Sequence, residues 1–233
     1  EGGSPTAPRS EPGLLDKLGA KIVVAATLRA VQLLGRQFVL GQTMKEAVAE
    51  ANAARKSHLQ ARKGQFPAGP PQGELAPVGG SDPRSGGAWG LTYSYDMLGE
   101  GARTEADARK YLKSYSDAIE FIAGYTSSTG AIAQNDGISI KLSALHPRYE
   151  DAQCERVMAE LVPRVWGLCE QAARANINLT IDAEEVDRLE LSLDVLEALM
   201  AQVAQHYPQW SGLGLAMQAY QTRALELIDH VAA

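Results

Sequence analysis

Four short stretches in which apolar and polar residues alternate constrain the fold of this chain more than any other feature. They are Leu91 to Asp96, Gly137 to Ser143, Ile177 to Asp182 and Leu213 to Gln218. A period of two residues is typical of a β-strand whose two faces differ. Because helical patterns separate the stretches, the strands are predicted to be parallel and joined by helical crossovers. The sequence therefore indicates an α/β protein.

Each predicted strand carries a functional group toward its C-terminal end. These groups are Asp96, Lys141, Asp182 and Gln218. Parallel strands are buried on both faces, so their polar face must line an internal surface. In a (β/α)8 barrel that face converges at the C-terminal mouth, where enzymes of this fold keep their active sites. We therefore predict a partial TIM-like barrel of about four βα units with a site at its mouth.

Lys141 is the most informative of these residues, because burying a lysine is costly unless it meets an opposite charge. The alternative is an edge strand that leaves Lys141 in water. The aspartates at the ends of the other strands favour a buried ion pair instead. Asp182 also has an alternative, which is to cap the loop that follows it, where Arg188 is a local partner for the carboxylates.

The chain divides into four predicted regions. Residues 1–12 are rich in glycine and proline and are predicted to be disordered. Residues 13–63 form a helical arm with Thr43 as an N-cap; the arm packs on a barrel or a partner, or is a plain amphipathic scaffold. Residues 64–90 are a Pro/Gly-rich linker or loop. Residues 91–233 contain the barrel units.

The helices of the barrel units are predicted from caps and apolar spacing. The first begins after Thr104 as its N-cap, with Glu105 and Asp107 in its first turn. The second covers about residues 152–175 and has one apolar stripe, which consists of Val157, Leu161, Val165 and Leu168. The third begins at about Ser192 and carries the apolar residues Leu193, Leu196, Leu199, Met200 and Val203.

Composition excludes several functional classes. A net charge of −6 and a pI near 5.3 argue against a protein that binds nucleic acid through its phosphates. Cys154 and Cys169 lie on one predicted helix without metal-ligand spacing, which fits a reducing cytoplasm. The sequence shows no apolar run long enough to cross a membrane.

Four longer motifs resemble a known family. The motifs YSYDMLGE, GISIKLSALHPRYE, IDAEEVDRLELSLDVLE and QAYQTRA are similar to the proline dehydrogenase domain of bacterial bifunctional proline utilisation A proteins. The resemblance runs from about Arg29 to the C-terminus, interrupted by the Pro/Gly-rich region. It implies a (β/α)8 barrel that binds FAD, oxidises L-proline to pyrroline-5-carboxylate and passes electrons to a membrane quinone. It also implies a cytoplasmic enzyme that meets the inner face of the membrane, in a parent protein with an aldehyde dehydrogenase domain.

The resemblance assigns roles to five residues. Lys141 and Asp182 correspond to the active-site lysine and aspartate around the proline pocket, and Asp96 to the aspartate that ends the first strand. Glu100 corresponds to a glutamate that pairs with an arginine to close the site. Gln218 corresponds to the glutamine at the pyrimidine edge of the flavin, where an amide offers both a donor and an acceptor.

Three further polar residues lie near these motifs. His146 precedes Pro147 and could be taken for a general base, but hydride transfer to a flavin requires none, so we predict a structural role. Tyr220 and Arg223 follow Gln218, and they either contact the cofactor or only pack against the protein.

Two hypotheses follow from the part of the family pattern that the chain matches. The family's flavin-phosphate loops and the arginines that grip the proline carboxylate have no counterpart here. The chain is therefore expected to be the first half of the barrel of a larger proline dehydrogenase and to be inactive by itself. The alternative is a non-catalytic half-barrel that self-associates to cover its open sheet edges.

Overall fold

The structure is a computed structural model, and it describes residues 23–31, 35, 39–65, 91–127 and 130–232, with side chains left out for 61–65. The predicted disordered segment 1–12, residues 13–22 of the arm and residues 66–90 of the predicted linker lie outside the described residues. The chain divides into two compact units, Glu1–Ala51 and Asn52–Ala233.

The described residues of the predicted helical arm include two helices. Helix α1 covers residues 23–31, and α2 runs over Met44–Gln65, which spans the boundary between the two units. Thr43 caps α2 as predicted, because its hydroxyl oxygen accepts the Glu46 backbone N–H at 3.3 Å.

Four strands form one parallel sheet in the order β1-β2-β3-β4, as the sequence predicts. They are β1 (Ser94–Asp96), β2 (Gly137–Ile140), β3 (Leu179–Ile181) and β4 (Leu213–Leu215). Each strand is shorter than the alternating stretch that predicted it. The helices between the strands make every connection a crossover, so the C-terminal ends of all four strands lie at the same edge of the sheet.

The two faces of the sheet differ as the alternation predicts. One face is apolar and almost completely buried, with Tyr95, Ile138, Ile140, Leu179 and Ile181 between 0 and 4% exposed. The other face carries small and polar residues, among which the hydroxyls of Ser94 and Ser139 lie 3.1 Å apart. Because alternate residues of a strand lie on opposite faces, only every second residue lies on the polar face that lines the mouth of the partial barrel.

Five helices complete the βα units. They are α3 (Glu105–Ala123), α4 (Leu142–Leu145), α5 (Cys154–Ala175), α6 (Leu189–His206) and α7 (Ala224–Ala232). Helix α3 begins with a capping box in which Thr104 and Asp107 exchange hydrogen bonds, and this confirms the predicted N-cap. Helix α5 packs between α3 and α6, with the predicted stripe of Val157, Leu161, Val165 and Leu168 in the core.

The prediction that β2 extends to Ser143 is wrong. The strand ends at Ile140, Lys141 keeps an extended backbone, and the next four residues form the short helix α4. The backbone of Ser143 bonds to two neighbouring loops, because its N–H donates to Glu184 Oε1 at 3.0 Å and its carbonyl accepts from Ala102 N at 2.8 Å. After Lys141, the backbone of Ser143 therefore forms hydrogen bonds with loop residues and not with a neighbouring strand.

The buried face of α6 also differs in part from its prediction. Leu196 and Leu199 are buried as expected, but Met200 is 49% exposed, and Leu191 and Val195 are buried in addition. The helix begins at Leu189, three residues before the predicted start, so an extra turn reaches the core.

Candidate active site

Lys141 lies between two aspartates at the C-terminal edge of the sheet. Its Nζ atom is 2.8 Å from Asp96 Oδ1 and 2.8 Å from Asp182 Oδ2. Asp96 is the last residue of β1, and Asp182 directly follows β3. The lysine side chain is 17% exposed, so the alternative of an edge lysine in water does not describe this structure. The three groups share one face because the neighbouring strands are parallel and in register.

The charge cluster of Lys141, Asp96 and Asp182 favours a protonated lysine. Burial opposes the ammonium, but the hydrogen bonds that it donates to Asp182 and then to Asp96 outweigh this effect and hold the pKa of Lys141 above its ordinary value of 10.5. An ammonium has three donors, and two are taken by the carboxylates, so one is available to a ligand. With both carboxylates ionised, the cluster carries a net charge of −1, which suits a cationic group on that ligand.

Tyr115, on α3, forms a hydrogen bond with the backbone of Lys141. Its buried hydroxyl accepts the Lys141 N–H at 3.1 Å. Burial raises the pKa of Tyr115 to about 12, so the hydroxyl stays neutral beside the charge cluster. Sequence reasoning missed this residue, because Tyr115 continues the helical stripe of Ile119 and Ile122 and has the spacing of an ordinary core residue.

A cleft of about 770 Å³ opens beside the charge cluster. Its lining includes three of the residues singled out from the sequence, Glu100, Lys141 and Gln218. Tyr220 and Arg223, whose roles the sequence left open, also line it, and Arg223 forms an ion pair of 2.8 Å with Glu190. Two of the four strand-end residues, Lys141 and Gln218, therefore line one concave surface. Asp96 and Asp182 are not part of its lining and adjoin it through their contacts with Lys141.

Gln218 presents an oriented amide to this cleft. Its Nε2 donates to the Glu184 carbonyl at 3.1 Å, and its Oε1 accepts from Gln221 Nε2. Since a carbonyl oxygen only accepts, the Glu184 contact settles which end of the amide is the NH2 group. One N–H and one lone pair of Gln218 remain for a ligand, and this fits the donor-and-acceptor edge of a flavin.

Glu100 lies in the loop between β1 and α3. Gly99 and Gly101 on either side of it have positive φ angles of 129° and 62°, which favour glycine. Within the described part of the chain Glu100 forms no ion pair, so the arginine that the resemblance assigns to it is not among the described contacts.

The alternative role for Asp182 differs from what the structure shows. Arg188 lies 3.0 Å from Glu185 and 3.6 Å from Glu184, so it pairs with the loop carboxylates and leaves Asp182 to Lys141. The backbone N–H of Asp182 donates to Ile140 O at 2.9 Å, which continues the β2–β3 ladder by one step.

His146 is a buried link between α4 and α5. Its Nδ1 accepts the Arg148 backbone N–H at 3.2 Å, so the ring proton resides on Nε2 and is donated to Glu160 Oε2 at 3.2 Å. The side chain is completely buried and both nitrogens are used, which agrees with the structural role predicted for it.

Tyr149 is a second residue that sequence reasoning missed. It is 3% exposed, and its hydroxyl has no hydrogen-bond partner among the described residues. Burial raises the pKa of Tyr149, and the nearby Glu184 carboxylate adds to this effect. The residue lines a small enclosed pocket together with Asp182 and Gln218. Tyr149 lies within the motif GISIKLSALHPRYE, but neither the periodicity nor the resemblance assigned it a role.

Comparisons with known protein sequences identify a family and several relatives of this chain. A profile of the family described as proline dehydrogenase matches residues 84–233. The chain is 40% identical over 223 residues to the bifunctional protein PutA of Klebsiella aerogenes, and 37% identical over 218 residues to that of Rhizobium meliloti. These matches cover 96% and 94% of this chain, but the chain spans only 14% of the length of either relative.

The chain also matches solved structures of proline utilization A proteins. The chain matches a proline utilization A protein with proline bound in remote sites, at a TM-score of 0.64 and 42% identity, over 94% of this chain and 19% of that one. A second match is a bifunctional proline utilization A protein, with a TM-score of 0.64 and 40% identity over 97% of this chain and 20% of the other. At 40–42% identity the chain shares its fold with these proteins over most of its length.

Proposed function

The chain belongs to the proline dehydrogenase family, and from that premise we propose that it supplies the charge cluster and part of the flavin site of an enzyme that oxidises L-proline to pyrroline-5-carboxylate with FAD. The observation that carries this proposal is the placement of Lys141 Nζ at 2.8 Å from both Asp96 and Asp182. Such an arrangement at the mouth of parallel strands is typical of a binding site for a small charged molecule.

The charge cluster matches the charges of a zwitterionic amino acid. The free donor of the Lys141 ammonium can bind a carboxylate oxygen, and the net negative charge of the cluster attracts the secondary ammonium of proline. Lys141 and Asp182 are the residues that we propose to orient the substrate, with Asp96 holding the lysine and Glu100 closing the site with an arginine. Fixed charges of this kind orient the substrate at little entropic cost during the reaction.

Gln218 is the residue that we propose to hold the flavin. The cleft beside it is large enough for an aromatic ring system, and its amide has one donor and one acceptor left. The flavin supplies the redox chemistry by taking up the two electrons removed from proline. The protein's part is to place the substrate, exclude water and keep the Lys141 charge fixed.

The remaining partners follow from the same family membership. We propose that the electrons pass to a membrane quinone, that the protein is cytoplasmic with peripheral contact at the inner face of the membrane, and that its parent also carries an aldehyde dehydrogenase domain. Among the described helices none combines the length and the apolar character needed to span a bilayer.

The direct test is a flavin experiment on the full-length protein that contains this chain. We expect the purified protein to carry FAD, and L-proline to bleach its visible absorbance under anaerobic conditions while pyrroline-5-carboxylate forms. Glycine, which has no ring to oxidise, is the matched control and leaves the spectrum unchanged. A flavin that stays oxidised in excess L-proline would refute the proposed reaction.

A second candidate function, a non-catalytic assembly module, is favoured by the edges of the sheet. In the described part of the chain β1 and β4 each pair with one neighbour, so each has a free edge of backbone donors and acceptors. A (β/α)8 barrel closes eight strands, and the sheet described has four.

Studied alone, residues 1–233 are therefore expected to hold no stoichiometric FAD, to leave proline unoxidised and to self-associate. Titration with FAD, followed by flavin fluorescence, together with a mass measurement in solution, checks this prediction. A monomer that binds FAD saturably and is bleached by proline would show that four strands suffice.

A further inference from the structure

A continuous set of hydrogen bonds connects the loops that follow all four strands. Gly101 N donates to Ser143 Oγ at 3.2 Å, and Ala102 N donates to Ser143 O at 2.8 Å. Ser143 N in turn donates to Glu184 Oε1 at 3.0 Å, and the Glu184 carbonyl accepts from Gln218 Nε2 at 3.1 Å. Within this set of hydrogen bonds, Ser143 and Glu184 connect the loops that follow β1, β2, β3 and β4.

Both central residues are removed from solvent. Ser143 is 3% exposed, and the Glu184 side chain is 10% exposed. A buried carboxylate is costly unless its charge and its lone pairs are used. Arg188 at 3.6 Å supplies the opposite charge, and the Ser143 N–H uses one lone pair. This N–H lies in the first turn of α4, where backbone donors have no intrahelical acceptor, so Glu184 satisfies it.

Ser143 and Glu184 each lie two residues after a member of the charge cluster. Lys141 precedes Ser143 by two residues, and Asp182 precedes Glu184 by two. The Glu184–Ser143 hydrogen bond therefore connects the segments that follow β3 and β2, which are the same two segments that the Lys141–Asp182 contact connects. Through its carbonyl, Glu184 also fixes the orientation of the Gln218 amide.

We propose that Glu184 is a positioning residue that sets the placement of Lys141 relative to Asp182 and of the Gln218 amide relative to both. The inference rests on the proposed function, since it concerns the substrate and flavin ends of that same site. Glu184 acts through other residues and is not assigned a contact with the substrate. Glu185, the adjacent residue of the same type, is 64% exposed and lies outside this set of hydrogen bonds.

The test uses three variants of the full-length, flavin-loaded protein. Glu184→Ala removes the acceptor of Ser143 N–H, whereas Glu184→Gln keeps an oxygen there and loses only the charge. Asp187→Ala is the matched control, because it removes the same charge from an exposed position in the same loop. Circular dichroism checks that all three remain folded.

Two measurements report on positioning. Hydrogen–deuterium exchange at the Ser143 amide is expected to accelerate at least about tenfold in Glu184→Ala, because its acceptor is lost, and to change less than about twofold in Asp187→Ala. The KM for proline is expected to rise about tenfold in Glu184→Ala and less than about threefold in Glu184→Gln, with a smaller change in kcat. Partial unfolding would instead lower the apparent kcat and leave the KM unchanged.

Two results would overturn the inference. One is a Glu184→Ala protein whose Ser143 amide exchanges as slowly as in Asp187→Ala, and the other is a KM within about twofold of the unaltered protein. The exchange measurement requires no turnover. If the unaltered protein fails to oxidise proline while the exchange pattern holds, the proposed function is lost and the positioning role of Glu184 stands.

Discussion

Lys141→Met is expected to lower kcat/KM for L-proline by a factor of about 100 or more. Methionine keeps most of the bulk of the lysine stem but deletes the ammonium, which leaves Asp96 and Asp182 facing each other without a counter-charge. Truncating one partner of a largely desolvated charge contact with a ligand costs about 3 kcal/mol, and this corresponds to a loss of about a hundredfold. The substrate also loses the donor that we propose for its carboxylate.

The flavin content of Lys141→Met is expected to change little, because the Gln218 amide donates to the Glu184 carbonyl and accepts from Gln221, and neither bond involves the lysine. Steady-state kinetics with proline and the flavin absorbance per protein measure the two effects separately. Lys113→Met is the matched control, since Lys113 also forms an ion pair, with Asp117 at 2.7 Å, but is 75% exposed. Exposed pairs contribute about 0–1 kcal/mol, so this control should remain active. Activity of Lys141→Met within about threefold of the unaltered protein would make Lys141 a scaffold residue.

The arrangement of the sheet could be predicted because it depends on simple alternation. Ile138 and Ile140 alternate with Ser139 and Lys141, and the same parity in the other stretches places Asp96 and Asp182 on the side of the lysine. The end of β2 could not be predicted in this way. Leu142 continues the alternation, yet Leu142–Leu145 form a helical turn in which all four residues are buried. A short apolar run is compatible with strand or helix, and contacts with distant loops decide between them.

The site could be predicted as far as its strand-end residues and, through the resemblance, the loop residue Glu100. Glu184 and Glu185 are adjacent and chemically identical, and only the folded loop makes one 10% and the other 64% exposed. Tyr115 likewise has the spacing of a core residue, and its contact with the Lys141 backbone depends on how α3 packs on the sheet. Residues that support a site through tertiary contacts leave no local pattern in the sequence, whereas the residues at strand ends do.

A second buried ion pair, Arg55–Asp136, lies at the opposite, N-terminal edge of the sheet. Asp136 precedes β2, and its carboxylate accepts from the Arg55 guanidinium, from Tyr93 N at 2.9 Å and from the Tyr95 hydroxyl at 3.2 Å. Arg55 also donates to Leu91 O at 2.8 Å, and it lies over the Tyr93 ring. The side chains of Arg55 and Asp136 are 6% and 11% exposed. This pair fastens the second half of α2 to the starts of β1 and β2.

Arg55→Ala is therefore expected to destabilise the protein by about 3–5 kcal/mol, because it leaves the Asp136 carboxylate buried without its cation. Unfolding in denaturant, followed by circular dichroism, measures the change. Arg109→Ala is the control, since Arg109 pairs with Glu105 at 3.3 Å while 74% exposed, and it should cost less than about 1 kcal/mol. Adding Asp136→Asn to Arg55→Ala should recover part of the loss, because the neutral amide is cheaper to bury than the unpaired carboxylate and still accepts from Tyr93 N. A cost below about 1 kcal/mol for Arg55→Ala would mean that the pair does not hold α2 on the sheet.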